Sequence, residues 1–120
     1  MAKKKTYTIQ ELTDFVANFR DERDWKQFHN PKDSAIALNL EASEVLEHFR
    51  WRNKTEVKQY VKEKKSEIAD ELSDVLFWVL LMSHDLKIDL GDAFYKKRTE
   101  DAKKYPVEIV KGKHKKYNEY

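Results

Sequence analysis

The sequence predicts an all-α protein, in which a single domain over residues 1–120 forms a four-helix bundle-like protomer. Glycine and proline are scarce: the 120 residues contain two of each, and neither occurs from Lys32 to Leu90. A many-stranded β fold needs turn residues about every 8–12 positions, so that class is excluded. Apolar residues make up 40% of the chain, and they recur at helical spacing, which gives each helix a face to bury.

Composition excludes several other classes of protein. The absence of cysteine excludes a disulfide framework, a thiolate nucleophile and a zinc finger. Two glycines 21 positions apart cannot form a glycine-rich phosphate loop. The longest unbroken apolar run, residues 75–82, has eight residues and is far too short to span a membrane. Since the lysine-rich N-terminus also lacks the apolar segment of a signal peptide, we expect a cytoplasmic protein with no membrane partner.

Local signals place the first two helices. The first, over about residues 8–21, opens with a capping box in which Glu11 follows the Thr8 cap by three positions. The second, over about residues 31–49, opens with Asn30 as its cap and with proline at the first helical position. A polar, aromatic connector separates the two helices.

The remaining helices are bounded in the same way. A cap at Asn53–Thr55 opens a third stretch that runs towards Asp85, with an interruption near residues 64–66 left open. The fourth helix covers Asp89–Lys104 and must stop there, because Pro106 cannot continue it. The chain then ends in a lysine-rich tail.

The second and third helices contain nearly the same phrase. Residues 38–46 align with residues 68–76 at a constant offset of 30, and five positions match without a gap. Each copy carries an apolar stripe flanked by two acids three positions apart. The repeated acids are Glu41, Glu44, Glu71 and Asp74. Two copies of this phrase predict a pseudo-symmetric pair of helices at the centre of the protomer, whereas a solenoid would need at least about three.

This duplication predicts a cluster of four carboxylates. Residues three apart are neighbours on a helix surface, so antiparallel packing of the two apolar stripes brings both acidic pairs to one place. Four like charges would repel one another there. A bound Mg²⁺ or Mn²⁺ ion, which prefers oxygen ligands, would offset that repulsion. Acidic pairs that simply solvate a helix face are the alternative. A di-iron site fits poorly, because it needs Glu-x-x-His motifs and His48 follows Glu44 by four positions.

Aromatic residues follow the acids along both helices. Trp78 lies four positions after Asp74, on its face of the third helix, and Trp51 lies seven positions after Glu44. Two helical turns span about 11 Å, similar to the distance from the phosphates of a nucleotide to its base. One interpretation is therefore a pocket with a metal and phosphates at one end and a stacked base at the other. The alternative is that each tryptophan is an ordinary core or interface residue.

Taken in order, several segments resemble the MazG-like all-α nucleoside triphosphate pyrophosphohydrolases, and most closely their dCTP pyrophosphatase branch. The resemblance covers roughly residues 8–118. The segments that carry it are Glu22–His29, Glu41-x-x-Glu44, Glu47-x-x-x-Trp51, Glu71–Leu76 with its Asp74, and Lys104–Pro106. It implies Mg²⁺-dependent hydrolysis of (deoxy)nucleoside triphosphates, with dCTP-like dNTPs favoured. The products would be the monophosphate and pyrophosphate, formed by attack of water at the α-phosphorus.

The resemblance also implies residue roles and an assembly. The catalytic and metal-holding residues would be Glu41, Glu44, Glu71 and Asp74, with Mn²⁺ as a substitute for Mg²⁺. The substrate-binding residues would be Trp25, His29, Trp51, Trp78, Lys97 and Asp101. Of these, the aromatic side chains and His29 would line the base and sugar pocket, and Lys97 would contact phosphates. The partners would be the nucleoside triphosphate substrate and further copies of the chain, as a homodimer or as a dimer of dimers.

This sequence departs from the family pattern at three positions. Trp78 stands where the animal relatives have tyrosine, Asp101 stands where asparagine is usual, and Val16 stands where those relatives carry a base-contacting histidine. Activity on a broader range of dNTPs is therefore an alternative to a preference for dCTP.

A non-enzymatic helical module that dimerises and contacts nucleic acid is the rival interpretation. Its support is the C-terminal region, where residues 96–120 hold nine Lys/Arg and four Asp/Glu. Within that region, the tail of about residues 107–120 is either solvated or an anion-attracting rim. However, the whole chain has a net charge of only +2, so residues 1–95 are net negative and offer no basic face. Nucleic acid is therefore disfavoured as a partner.

Overall fold

The computed structural model describes residues 3–120, and α-helices dominate it. Within that range it contains no strand, so the prediction of an all-α fold is confirmed. The α-helices are α1 (Ile9–Asp21), α2 (Pro31–Glu47), α3 (Lys54–Asp85), α4 (Leu90–Lys104) and α5 (Val107–Val110). Two single-turn 3₁₀ helices, Lys26–Phe28 and Tyr117–Glu119, complete the described secondary structure.

Side-chain caps begin α1 and α3 at the predicted positions. The Thr8 hydroxyl accepts a hydrogen bond from the backbone N–H of Glu11 at 3.0 Å, and the Glu11 carboxylate accepts one from the backbone N–H of Thr8 at 3.2 Å. Asn53 and Glu56 form the same reciprocal pair ahead of α3. Each pair satisfies two backbone N–H groups, one of them a donor that helix geometry leaves unbonded, and thereby fixes where the helix starts.

The connection between α2 and α3 and the middle of α3 are irregular. α2 ends at Glu47, two residues before its predicted end at Phe49. The turn that follows contains Trp51 with a φ of +71°. Because this stretch contains no glycine, a tryptophan takes the left-handed conformation that reverses the chain. α3 loses helical dihedral angles at Lys64 (φ −115°, ψ 22°), in the range of residues 64–66 where its continuity was left open.

The first compact unit of the chain ends at Lys87 and contains α1, α2 and α3. Both α1 and α2 pack against α3. The buried apolar side chains of this unit are Val16, Ala17, Leu80 and Leu81. Arg20 of α1 is fully buried and forms an ion pair with Asp85 at the end of α3. The apolar core and this ion pair hold α1 against the C-terminal part of α3.

The second compact unit, Ile88–Tyr120, contains α4, α5 and the basic tail. α4 ends at Lys104, as the proline at position 106 predicts. In the tail, Tyr117 packs edge-on against Tyr105 with ring centroids 6.1 Å apart, and its backbone N–H donates to the Tyr105 hydroxyl at 3.2 Å. The assignment of the whole chain to a single domain stays a prediction.

Much apolar surface on α2 and α3 is exposed. Leu40 and Leu46 of α2 are 59% and 63% exposed, and Leu72 of α3 is 55% exposed. Val45 and Val75, on the same two apolar stripes, are only half-buried. One copy of the chain therefore covers its central helix pair incompletely. Among the described residues, no helix is long and apolar enough to cross a membrane.

Candidate functional site

Four carboxylates meet between α2 and α3. The contributing residues are Glu41 and Glu44 of α2 and Glu71 and Asp74 of α3. One carboxylate oxygen from each residue lies within 4.8 Å of those from the other three. Two of the residues, Glu41 and Glu71, are half-buried, and the other two are exposed. The cluster is therefore open to solvent on one side and enclosed on the other.

The local sequence explains why these side chains converge. Within each helix the two acids are three residues apart and so project from adjacent positions on one face. α2 packs against α3, with the acidic pair in the C-terminal half of α2 facing the pair just beyond the middle of α3. The structure thus brings together all four acids that the duplicated phrase singled out.

The mutual proximity of the acids makes their ionisation less favourable. Burial is the largest cause that raises the pKa of the Glu41 carboxyl, followed by a hydrogen bond with Glu44 and the charges of the other acids. The pKa of Glu71 is also raised, first by its hydrogen bond with Glu44, then by burial and the neighbouring carboxylates. The positive charge of His48, present only when the imidazole is protonated, opposes that rise. Without a counter-charge, the cluster therefore favours keeping protons.

The set of donor atoms fits a hard divalent cation. Glu41 Oε2 and Glu71 Oε2 are buried, and neither has a hydrogen-bond partner within residues 3–120. An ionised carboxylate oxygen only accepts hydrogen bonds, so burying it without a donor is unfavourable. A cation would pair with these oxygens and offset the repulsion between the four charges. Carboxylate oxygens are the ligands that Mg²⁺ and Mn²⁺ prefer, and these four residues could hold such an ion.

A polar pocket of about 330 Å³ lies next to the carboxylates. The lining residues are Glu44, Glu47, His48, Arg52, Tyr60 and Glu71. Within the pocket, His48 Nδ1 lies 2.7 Å from the Tyr60 hydroxyl, and His48 Nε2 lies 3.8 Å from Glu71 Oε1. From the sequence, His48 was considered only as an iron ligand, and Tyr60 was not singled out. Helical spacing could have identified both residues: His48 follows Glu44 by four residues and Tyr60 precedes Glu71 by eleven, so each lies on the same face as an acid of the cluster.

An array of aromatic side chains extends from α1 to the loop ahead of α2. The His29 ring meets the edge of Trp78 with centroids 5.2 Å apart, and Trp78 meets Phe77 at 5.3 Å. The Phe19 ring lies between two others, with its centroid 6.3 Å from that of Phe77 and 5.9 Å from that of Trp25. Of the predicted base-pocket residues, the structure therefore brings His29 and Trp78 into direct contact and connects Trp25 to them through two phenylalanines.

Three other residues were predicted to bind substrate, and each has contacts of its own. Trp51 is 85% exposed, and the Arg50 guanidinium lies over its ring at 4.7 Å. In the second unit, Lys97 Nζ pairs with Asp101 at 3.2 Å, and Arg98 contacts the other carboxylate oxygen of Asp101 at 3.1 Å. The hydrogen bond from Lys97 is the largest cause that lowers the pKa of Asp101. Lys97 and Asp101 therefore form one ion-paired cluster on α4.

Comparisons with known proteins agree with this architecture. The model of the MazG-like family matches residues 36–120. The dCTP pyrophosphatase 1 of Mus musculus is 32% identical over 114 residues, which is 93% of this chain and 67% of the mouse protein. The human dCTP pyrophosphatase 1 is 30% identical with the same coverage. A crystal structure of a pyrophosphatase from Archaeoglobus fulgidus DSM 4304 superposes with a TM-score of 0.77 at 31% identity, covering 88% of this chain and 99% of that one. The chain belongs to the MazG-like family.

Proposed function

We propose that this protein is a nucleoside triphosphate pyrophosphohydrolase that uses Mg²⁺ and favours dCTP-like deoxynucleotides. The observation that carries the proposal is the convergence of four carboxylate oxygens within 4.8 Å, two of the carboxylates having a buried oxygen without a partner. The dCTP pyrophosphatases and the archaeal pyrophosphatase that resemble the chain support the reaction class. The reaction cleaves the bond between the α-phosphorus and the bridging oxygen to the β-phosphorus, and water supplies the new oxygen.

In this proposal the acids have two tasks. Glu41, Glu44, Glu71 and Asp74 would hold Mg²⁺, with Mn²⁺ as a substitute. When bound, the ion would neutralise negative charge on the triphosphate and on the departing pyrophosphate. The carboxylates also accept hydrogen bonds from water and can orient it for in-line attack on the α-phosphorus. No side-chain nucleophile is required, in agreement with a chain that has no cysteine.

The aromatic array is the proposed base and sugar pocket. Trp78 follows Asp74 by one helical turn, so the ring contacts of His29 and Trp78 lie close to the carboxylates along α3. An indole face stacks on a base with about 1–3 kcal/mol. Trp25, connected to this pair through the array, completes the pocket, and the exposed Trp51 remains free to cover a base. Lys97 is the proposed phosphate contact, held by Asp101 at 3.2 Å.

Pyrophosphate release from a panel of dNTPs and NTPs, measured with Mg²⁺ and with EDTA, tests the proposal. We expect pyrophosphate release in the presence of Mg²⁺ and none in EDTA. The largest kcat/KM should be that for dCTP or a closely related dNTP. Equal activity with EDTA would contradict the metal role. Inactivity with every nucleotide, combined with binding of DNA or RNA that weakens steeply with salt, would favour the non-enzymatic module instead.

We also propose that the protein assembles with further copies of itself, as a homodimer or a dimer of dimers. The support is apolar area left uncovered on the central helix pair, where Leu46 and Leu72 are 63% and 55% exposed. Removing such side chains from water contributes about 25 cal/mol per Å² of apolar surface, which drives association. Light scattering after size-exclusion chromatography should give two or four times the chain mass of 14.4 kDa. Leu46→Lys and Leu72→Lys should lower that mass, and a monomeric wild type would overturn the proposal.

A further inference from the structure

We propose that His48 is a positioning residue, which holds Glu71 in the orientation that the cation site needs, and that Tyr60 fixes the imidazole for this task. The inference rests on the proposed function, because it assigns a role toward the same carboxylate cluster. It concerns the contacts of His48, the residue that follows α2, with Tyr60 in the first half of α3 and Glu71 just beyond the middle of α3. Nothing in the spacing of the acids alone requires a histidine there.

The geometry places the imidazole between two partners. His48 Nδ1 is 2.7 Å from the Tyr60 hydroxyl, and His48 Nε2 is 3.8 Å from Glu71 Oε1. The His48 side chain is only 14% exposed, so water has limited access to compete for these contacts. The two rings lie 5.8 Å apart between centroids, which keeps the imidazole packed as well as hydrogen-bonded.

The chemistry of the two partners selects one tautomer. His48 Nε2 is the ring nitrogen nearer the Glu71 carboxylate, at a distance longer than a direct hydrogen bond. In the neutral imidazole, a proton on Nε2 directs the N–H dipole toward that negative charge, which favours this tautomer. Nδ1 then has a lone pair, and the Tyr60 hydroxyl donates to it. A histidine whose second nitrogen is held in this way has a fixed ring orientation and a defined donor.

This contact distinguishes the two oxygens of Glu71. Oε1 faces His48, whereas Oε2 is buried and has no hydrogen-bond partner among the described residues. With Oε1 directed toward the imidazole N–H, Oε2 remains free for a cation. Such partners around the ligands of a metal often change its affinity about 10- to 100-fold when they are removed.

Arg52 stabilises the tyrosine in its position. The Arg52 guanidinium lies 3.8 Å from the centroid of the Tyr60 ring, and its Nη1 donates to the backbone carbonyl of His48 at 2.7 Å. The same side chain thus spans the end of α2 and the Tyr60 ring. It restrains both partners of the hydrogen bond, so the imidazole does not depend on one contact alone.

The internal repeat gives an independent reason to assign His48 a specific role. At the offset of 30 that relates the two acidic phrases, the position equivalent to His48 is Trp78. Trp78 contacts His29 in the aromatic array, whereas His48 contacts a ligand-type carboxylate. The same register position therefore has a tryptophan in the aromatic array on α3 and a histidine beside the carboxylate cluster at the end of α2.

Mn²⁺ binding, measured by EPR on the full-length protein, tests the inference without relying on turnover. His48→Leu, which keeps the bulk but removes the donor, should weaken Mn²⁺ binding about 10- to 100-fold. His48→Gln, whose amide can donate toward Glu71, should restore most of the affinity. Tyr60→Phe should cause a smaller loss. The matched control is His114→Gln, because His114 is exposed and lies outside the helices in the second unit.

A second measurement makes the inference separable from the proposed activity. NMR of the imidazole nitrogens in metal-free wild type should show the proton on Nε2 and a hydrogen-bonded, unprotonated Nδ1. A proton on Nδ1 instead, or a folded His48→Leu protein that binds Mn²⁺ as tightly as the wild type, would overturn the role of His48. If the wild type binds Mn²⁺ but hydrolyses no nucleotide, the proposed function fails and the variants still decide this inference. A wild type that binds no Mn²⁺ refutes both.

Discussion

The carboxylate cluster should oppose folding while it supports activity, and Glu41→Gln separates the two effects. The substitution keeps the shape of the side chain and removes one of four charges whose oxygens lie within 4.8 Å of one another. In the metal-free protein we expect a higher free energy of unfolding. With Mg²⁺ and a dNTP we expect turnover to be lost. A residue that only supported the fold would show the opposite change in stability.

The magnitude follows from the separation of the charges. Two unit charges about 4.8 Å apart repel by about 1 kcal/mol in water and by about 3.5 kcal/mol at an effective dielectric constant of 20. Glu41 is only half-buried, so solvent screens much of this repulsion. We therefore expect a gain near the lower limit, about 1 kcal/mol, or about 4 °C in Tm for a chain of this size.

The difference in free energy of unfolding between the wild type and Glu41→Gln should depend on pH in a defined direction. Because the folded-state pKa of Glu41 is raised, the folded protein binds this proton more readily than the unfolded chain does. Its contribution to stability is therefore present at acidic pH and is lost as pH rises from the ordinary glutamate pKa through the raised one. The advantage of the glutamine variant should be absent at acidic pH and should appear above that window.

The assay combines urea unfolding in EDTA with pyrophosphate release in Mg²⁺. Glu108→Gln is the matched control, since it removes one exposed glutamate charge from the second unit. It should leave turnover unchanged and change stability by less than about 0.5 kcal/mol. Full turnover in the Glu41 variant would refute its place in the metal site. A loss of stability in the metal-free variant would show that Glu41 serves the fold.

Three further outcomes follow from the structure. Asp85→Asn should cost about 2–3 kcal/mol near neutral pH, because Arg20 is fully buried. Burial would raise the pKa of Asp85, but the hydrogen bond from Arg20 lowers it overall. The stability that this ion pair contributes is therefore lost as pH falls through the lowered pKa. The free energy of unfolding, measured with urea at several pH values, should vary less with pH in the variant. Trp78→Leu should raise KM for the preferred dNTP about 5- to 100-fold with a smaller change in kcat, whereas an unchanged KM would exclude stacking. Trp51→Asn should keep the free energy of unfolding equal or raise it by up to about 1 kcal/mol, because asparagine tolerates a positive φ. The same variant should raise KM for the preferred dNTP.

Local chemistry explains why much of the architecture could be predicted. The Thr8–Glu11 capping box and the Asn53 cap act within three residues, so the sequence alone contains both partners. The convergence of the acids was also predictable, because spacing within a helix and an exact offset between two helices determine which faces meet. Whether α3 is continuous near residues 64–66 was left open by the sequence, and the structure has non-helical dihedral angles at Lys64.

Contacts between distant segments could not be predicted in this way. Arg20 and Asp85 are 65 positions apart, and only the packing of α1 on α3 brings them together. The contact of His48 with Tyr60 depends on the turn between α2 and α3, which contains Trp51 at a φ of +71°. Periodicity places each side chain on a face, but it does not determine which partner across the turn that face will meet.

Features that are unfavourable for folding lie where the proposed activity is. Glu41 and Glu71 have raised pKa values and buried oxygens without partners, and Trp51 combines a left-handed backbone with 85% exposure of a large apolar side chain. Each would be easy to relieve by a single substitution, to glutamine at the acids or to asparagine at Trp51. A fold optimised only for stability would lose these features first. Their coincidence on α2, α3 and the turn between them is what we expect of a segment retained for the proposed activity, whereas the apolar core and the Arg20–Asp85 ion pair join α1 to α3.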